Sequence, residues 1–402
     1  MGGKFRPWIL WTAVPLGVVA LLAFSTPNFE YKGKVVYAVV TYTLLLLLYA
    51  ANNLPYSALS GGVITGDMGE RNSISAYRFV AVMFAQFFVQ VFMLPIIESA
   101  GGGDKAVGIE IVMTWLAIIG TIMLLITFFT TRERIVPKPE QKSSVKEDLS
   151  DLFKNKPWVI TLTVTTLVFV TLAMKGGSYV YYFKNYVDAD RLTSFIGPLL
   201  DFLSSIGVNF FGEDPVSAGF GLFNAGGIIF MIVGIGLSKK LADKYGKRDV
   251  FMTFFIYFNF VYHLLLFLLF NICRLMFASQ ILHGFFYGIT IPLLWAMIAD
   301  VADYSEWKTN RRATAIIFSA MMVGLKGGLS IGSALLAYIL ASYGYDADLT
   351  QQTAITITGT KMLVSIYPAI PFLLGVGLLF FYEINKKMEV QIEAELKERR
   401  QS

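Results

Sequence analysis

TRERIVPKPEQKSSVKEDLSDLFKNKPW, residues 131–158, is the stretch that organises everything around it. It is charged, is punctuated by Pro137, Pro139 and Pro157, and lies between strongly apolar segments. Proline stiffens such a run and polar side chains keep it solvated, so it reads as a linker. Within it, SVKEDLSDLFKN suits a short surface helix. On both sides the composition reverses. Of 402 residues, 55% are hydrophobic and 15% charged, whereas a soluble domain carries roughly 25% charged residues. The flanking chain is built for lipid.

Crossing the hydrocarbon takes about 20 apolar residues as helix. Ten segments meet that length, at about 7–27, 35–60, 74–97, 108–130, 157–183, 215–238, 249–271, 274–299, 313–342 and 358–383. Lipid offers backbone groups no partner, so helices are the open-ended solution, and no alternating strand pattern competes. Four spans precede the linker and six follow. The sequence therefore predicts an all-α integral membrane protein of two bundles. Residues 1–131 form the N-terminal bundle, 132–156 the cytoplasmic linker, 157–385 a six-helix C-terminal bundle and 386–402 a cytoplasmic tail. The tail, NKKMEVQIEAELKERRQS (385–402), reads as a solvated helix with no function of its own. The loop YVDADRLTSFIGPLLDFLSSIGVNFFGEDPVSAG (186–219) is long. Its Leu199, Leu200, Phe202 and Leu203 favour an interfacial packing helix over a lid.

Basic residues set orientation. With the N-terminus in the cytoplasm, 23 of the 33 lysines and arginines fall on the inner side and seven on the outer. Arg78, Lys175 and Lys326 remain within spans. Both termini are thus expected in the cytoplasm of a bacterial inner membrane, and the net charge of +5 is a topological signal rather than a nucleic-acid footprint. The lone Cys273 excludes an internal disulfide.

The loops repeat. In the second bundle YGKRD (245–249) precedes one hairpin and ADVADYSEWKTNRR (299–312) follows it; in the first, GGKFR (2–6) precedes and TGDMGERN (65–72) follows. Six-helix repeats mark the major facilitator architecture. On that pattern the first half lacks two opening helices, which leads one to expect that Met1 is an internal start and that twelve spans complete the protein.

NNLPYSALSGGVITGDMGERNSISAYRF (52–79) and MIADVADYSEWKTNRRATAIIFSAMMVGLKGG (297–328) resemble the melibiose-permease family, the glycoside–pentoside–hexuronide:cation symporters. GGKFRPWIL resembles that family's loop between its second and third helices. The resemblance implies sugar transport by alternating access, coupled to Na⁺ or H⁺, with no other cofactor. It also implies that the acids of the cation site belong to the helices expected upstream, so that this chain alone is inactive in coupled transport and holds no metal.

Intramembrane ions cost about 2.5–3.5 kcal/mol each at a helix centre and therefore tend to face cavities or partners. Lys326 lies mid-span in MMVGLKGGLSIGSAL, some thirteen residues into its helix. The competing reading is an amine that snorkels to the interface. The resemblance places Lys326 at the central cavity and Arg78 against sugar hydroxyls, a task suited to a planar donor fork. Arg78 also reads as a helix-end arginine, and Lys175 as either a snorkelling or a cavity residue. Asn53 precedes Pro55, which loosens its helix. The resembled permease has an acid at the position of Asn53 and a tryptophan at that of Ser57, with Tyr56 available as a substitute ring. The candidate substrate residues are Asn53, Tyr56, Arg78 and Lys326.

Asp67 and Arg71, with Asp300, Asp303 and Arg312, form a candidate cytoplasmic gate. Asp300 and Asp303 share a helix face, and wet ion pairs worth about 0–1 kcal/mol suit a latch that must open. His263 and His283 read as packed neutral residues before proton relays. No HExxH, GxSxG or clustered Cys/His pattern supports an enzyme. Two other readings stay open: a non-transporting membrane sensor or assembly scaffold, and a carrier of lysolipid-type amphiphiles.

Overall fold

The structure, a computed structural model, describes residues 5–25, 27–59, 68–133, 152–207, 214–254, 273–309, 314–349 and 351–401. Among these, nine helical segments are long and apolar enough to cross a membrane. The tenth expected span, 249–271, falls largely outside the described residues. The chain divides into two compact units, Met1–Gln141 with Gly207–Gly221, and Lys142–Ile206 with Leu222–Ser402.

The first unit holds α1 (Arg6–Phe24), α2 (Tyr31–Ala58), α3 (Met68–Gly101) and α4 (Lys105–Thr130). Helix α1 packs on both α2 and α4, and α3 packs on α4. Glu133 accepts from the backbone N–H groups of Phe5 and Arg6 at 2.7 Å each, satisfying donors that the start of α1 leaves open. Arg6 in turn donates to the Phe128 carbonyl at 2.7 Å. Asp104 caps α4 by accepting from the amides of Ala106 and Val107.

The second unit holds α5 (Lys156–Asn185), α6 (Ala189–Ser205), α8 (Cys273–Thr309), α9 (Thr314–Ser342), α10 (Ala354–Val364), α11 (Ile366–Leu379) and α12 (Lys386–Gln401), together with most of α7 (Pro215–Tyr245). Helix α5 is its hub, packing on α9, α10 and α11. Half of the α5 span is buried, against 11% of α2. Gly328 and Gly332 of α9 face the Thr166 and Val170 carbonyls of α5, where any side chain would collide with backbone. Small residues substitute here for the hydrophobic driving force that lipid cannot provide between helices. Helices α7 and α8 meet the same way at Gly227 and Gly284. Gly246, at φ 92°, ends α7 in a conformation that disfavours other residues, and a new helix runs from 247.

Three features depart from the sequence expectations. Helix α8 runs ten residues past 299, carrying the acids on its last turns. Hydropathy sees only the lipid-spanning part of such a helix. The final span is broken at Ser365, whose φ and ψ are −117° and −75°. Pro368 has no N–H to give and crowds the carbonyl one turn back. Hydroxyls of α5 satisfy carbonyls around the break: Ser178 donates to Leu363 at 3.2 Å and Thr171 to Pro368 at 3.0 Å. Last, the tail is not a solvated helix. Ile392 and Leu396 of α12 are 4% and 3% exposed and join the core formed by α5, α8, α9 and α11. Helix α6 is capped by Asp188, buries Leu192 and Ile196, and sets Phe195 against Phe277 of α8.

Candidate functional site

Helices α2 and α3 bring together two of the residues expected to bind substrate. The Arg78 guanidinium of α3 stands over the Tyr56 ring of α2, 5.2 Å from its centroid. Tyr56 packs against the buried pair Ile9 and Leu59, which fixes the ring. Asn53 lies three residues earlier on α2, on the same helix face, and all three side chains are half-buried. Its neighbour Asn52 has another task. That amide is 5% exposed and donates to the Thr12 hydroxyl at 2.7 Å, and Thr12 donates to the Trp8 carbonyl at 2.7 Å. Asn52 ties α2 to α1, which leaves Asn53 as the amide available beside Tyr56. A flat ring, a planar cationic fork and an amide are the groups that stack on a sugar face and bind its diols.

Lys326 lies in the second unit. The face of α9 that meets α5 carries Gly324, Gly328 and Gly332. At 100° per residue, Lys326 falls on the opposite side, and its side chain is exposed. Lys175 behaves differently. It sits on α5 away from α9, is 3% exposed, and holds its ammonium 5.9 Å from the Tyr179 ring centroid. Tyr179 donates to the Gln280 side-chain oxygen at 3.1 Å, so Lys175 belongs to a polar layer inside the second unit rather than to the membrane surface. Its depth could be suspected from sequence, but a lysine before two glycines does not reveal which face it occupies.

Of the candidate gate residues, Asp67 and Arg312 lie outside the described residues, and Arg71 sits near the start of α3. Asp300 is engaged within its own unit: Lys247 donates to its two oxygens at 2.5 and 2.7 Å. Lys247 also lies 3.7 Å from Glu389 of α12. Asp303 follows one turn later on α8 and is half-buried. Burial, then the charge of Asp300, pushes the Glu389 carboxyl above its ordinary value, with Lys247 opposing. Trp307 of α8 donates to Glu395 of α12 at 2.5 Å, and Arg399 donates back to the Trp307 carbonyl at 3.1 Å. Sequence reading missed Lys247 and Glu389. The signal was there for α12: Met388, Ile392 and Leu396 recur every fourth residue, an apolar stripe that needs a partner. Among the described residues no cluster of three or more His, Cys, Asp or Glu could hold a metal ion.

Comparison with known proteins follows the same lines. The sequence profile of the family described as MFS/sugar transport protein matches residues 2–212 and 202–386. The inner membrane symporter YicJ of Escherichia coli (strain K12) is 34% identical over 373 residues, covering 93% of this chain and 75% of that protein. The isoprimeverose transporter of Lactiplantibacillus pentosus is 28% identical over 403 residues, covering 99% and 77%. Among solved structures, the nucleoside transporter NupG superposes with a TM-score of 0.52 at 15% identity, covering 93% of this chain and 82% of that one. That likeness is one of fold.

Proposed function

Because the chain belongs to the MFS/sugar transport protein family, whose members are membrane transporters and not enzymes, we propose that it carries a glycoside or related sugar together with Na⁺ or H⁺. The reading rests on one observation above the others, the Arg78 guanidinium held over the Tyr56 ring with Asn53 one turn away. Sugar hydroxyls come in vicinal pairs, and a guanidinium offers two parallel donors to such a pair at little further cost in rotamer freedom. The ring presents an apolar face to the C–H side of the same sugar. Lys326 is assigned to the substrate or cation charge. Two bundles rocking about a midplane site would expose it to each side in turn, and the acids near Asp300 and Asp303, with Arg71, would close the cytoplasmic side. The protein is placed in a bacterial inner membrane with both termini inside, as the lysine and arginine distribution favours.

The test is equilibrium binding and counterflow in proteoliposomes over a panel of glycosides, isoprimeverose included, with Na⁺ and proton gradients imposed separately. Saturable binding of a glycoside that Arg78→Gln abolishes is the expected result. A panel in which no sugar binds, while an amphiphile such as a lysolipid does, would replace sugar with that class.

A further inference from the structure

One pocket of the second unit is far from the ring and guanidinium of α2 and α3 in sequence and differs from them in chemistry. It has a volume of about 390 Å³ and is lined by Lys154, Lys156, Lys308, Tyr304, Ser305 and Glu383, among others. Three transmembrane helices end around it: α5 begins at Lys156, α8 finishes at Thr309, and α11 finishes at Leu379 shortly before Glu383. The pocket is therefore at the level where hydrocarbon gives way to headgroups. Three ammonium groups line it with one carboxylate, Glu383, while Asp303 and Glu306 lie on the same stretch of α8. Lys308 is held near two rings, 4.7 Å from the centroid of Trp307 and 5.8 Å from that of Tyr304. Asn155 accepts from the Trp158 amide, so the positive end of α5 also opens on this pocket.

A second observation concerns what lies beside the lysines. Phe153 is 66% exposed, next to Lys154, and meets the buried Trp158 edge to face at 5.3 Å. An aromatic side chain exposed at a membrane boundary, flanked by lysines, is matched to an acyl chain below and a phosphate above.

We propose that this pocket binds an anionic phospholipid, its phosphodiester among Lys154, Lys156 and Lys308 and its glycerol and upper acyl segment on Phe153. Basic pockets between transmembrane helices bind acidic headgroups by the same electrostatics, at about 1 kcal/mol, or fivefold in affinity, per lysine near the surface. A free phosphate would use the lysines but gain nothing from Phe153, and this difference separates the two sources.

The experiment is native mass spectrometry of the purified protein released from nanodiscs of phosphatidylcholine doped with phosphatidylglycerol. Retained lipid should be enriched in phosphatidylglycerol by about tenfold or more. Lys154→Gln, Lys156→Gln and Lys308→Gln together should bring that enrichment near unity, and the three arginine substitutions should keep it. Phe153→Ser should lower lipid retention, and added inorganic phosphate should not displace the lipid at matched concentration. Unchanged enrichment in the glutamine variant would overturn the proposal. So would ready displacement by inorganic phosphate with Phe153→Ser silent, which would mark a site for soluble anions. Melting curves of each variant check folding, and the arginine set separates loss of charge from loss of structure.

Discussion

If α7 and α8 are held by direct backbone contact, then a single methyl group at Gly284 must push them apart. A Cβ there would lie 2.8 Å from the Gly227 Cα and closer still to its carbonyl. Ordinary carbon contacts sit at about 3.5–4.0 Å, so the helices would have to separate by about 0.7–1.2 Å. Overpacking of this size costs about 1–3 kcal/mol. Alanine also recovers about 1 kcal/mol of helix propensity relative to glycine. The second effect is isolated by Gly236→Ala on α7, where nothing lies within 4 Å of an added Cβ. The two variants should therefore differ by about 1–3 kcal/mol, with Gly236→Ala at or above the parent and Gly284→Ala below it. Intrinsic tryptophan fluorescence during thermal unfolding in detergent measures both. Equal midpoints for the two variants would refute the close approach.

Three further outcomes are expected. Leu396→Ala removes a side chain that is 3% exposed and should loosen α12 by about 2–4 kcal/mol; hydrogen exchange of residues 386–401 should rise steeply while α5 stays protected. Arg78→Lys keeps the charge but loses the fork, and should weaken glycoside binding by about tenfold to a hundredfold; a change within twofold would remove Arg78 from the site. Glu389 has its carboxyl raised by burial and by Asp300, so the folded protein holds a proton that the unfolded chain has already lost. Its contribution is therefore greatest in acid, below the ordinary glutamate range of about 4.3, and declines as pH rises through the raised value. Glu389→Gln should match the parent near pH 4 and melt higher at pH 8; the opposite trend in melting temperature would contradict the assigned cause.

Span number and the two-bundle plan were legible because the bilayer imposes a length, and a run of apolar residues either meets it or does not. Ends were harder. Helix α8 continues through Asp300, Asp303 and Glu306 because polar residues extend a helix into water as readily as apolar ones extend it through lipid. The break at Ser365 depends on Thr171 and Ser178 of another helix, almost 200 residues away along the chain. No local pattern announces such a partner. At the candidate site, Tyr56 and Arg78 could be named separately, but their contact is tertiary. The same holds for Asp300, whose cation comes from Lys247, 53 residues earlier. Charge was read as topology there, which accounts for the lysine but hides its pairing.

Ile392 and Leu396 lie among the final turns to leave the ribosome, yet they sit in the same core as Trp158 near the start of α5. The larger unit therefore cannot close its interior during translation. Membrane insertion of its helices and completion of its packing are separated in time, and until release the seat of those two side chains stays open at one end of the bundle. A nascent chain halted before its last dozen residues would be inserted but unfinished, a ready target for membrane proteases.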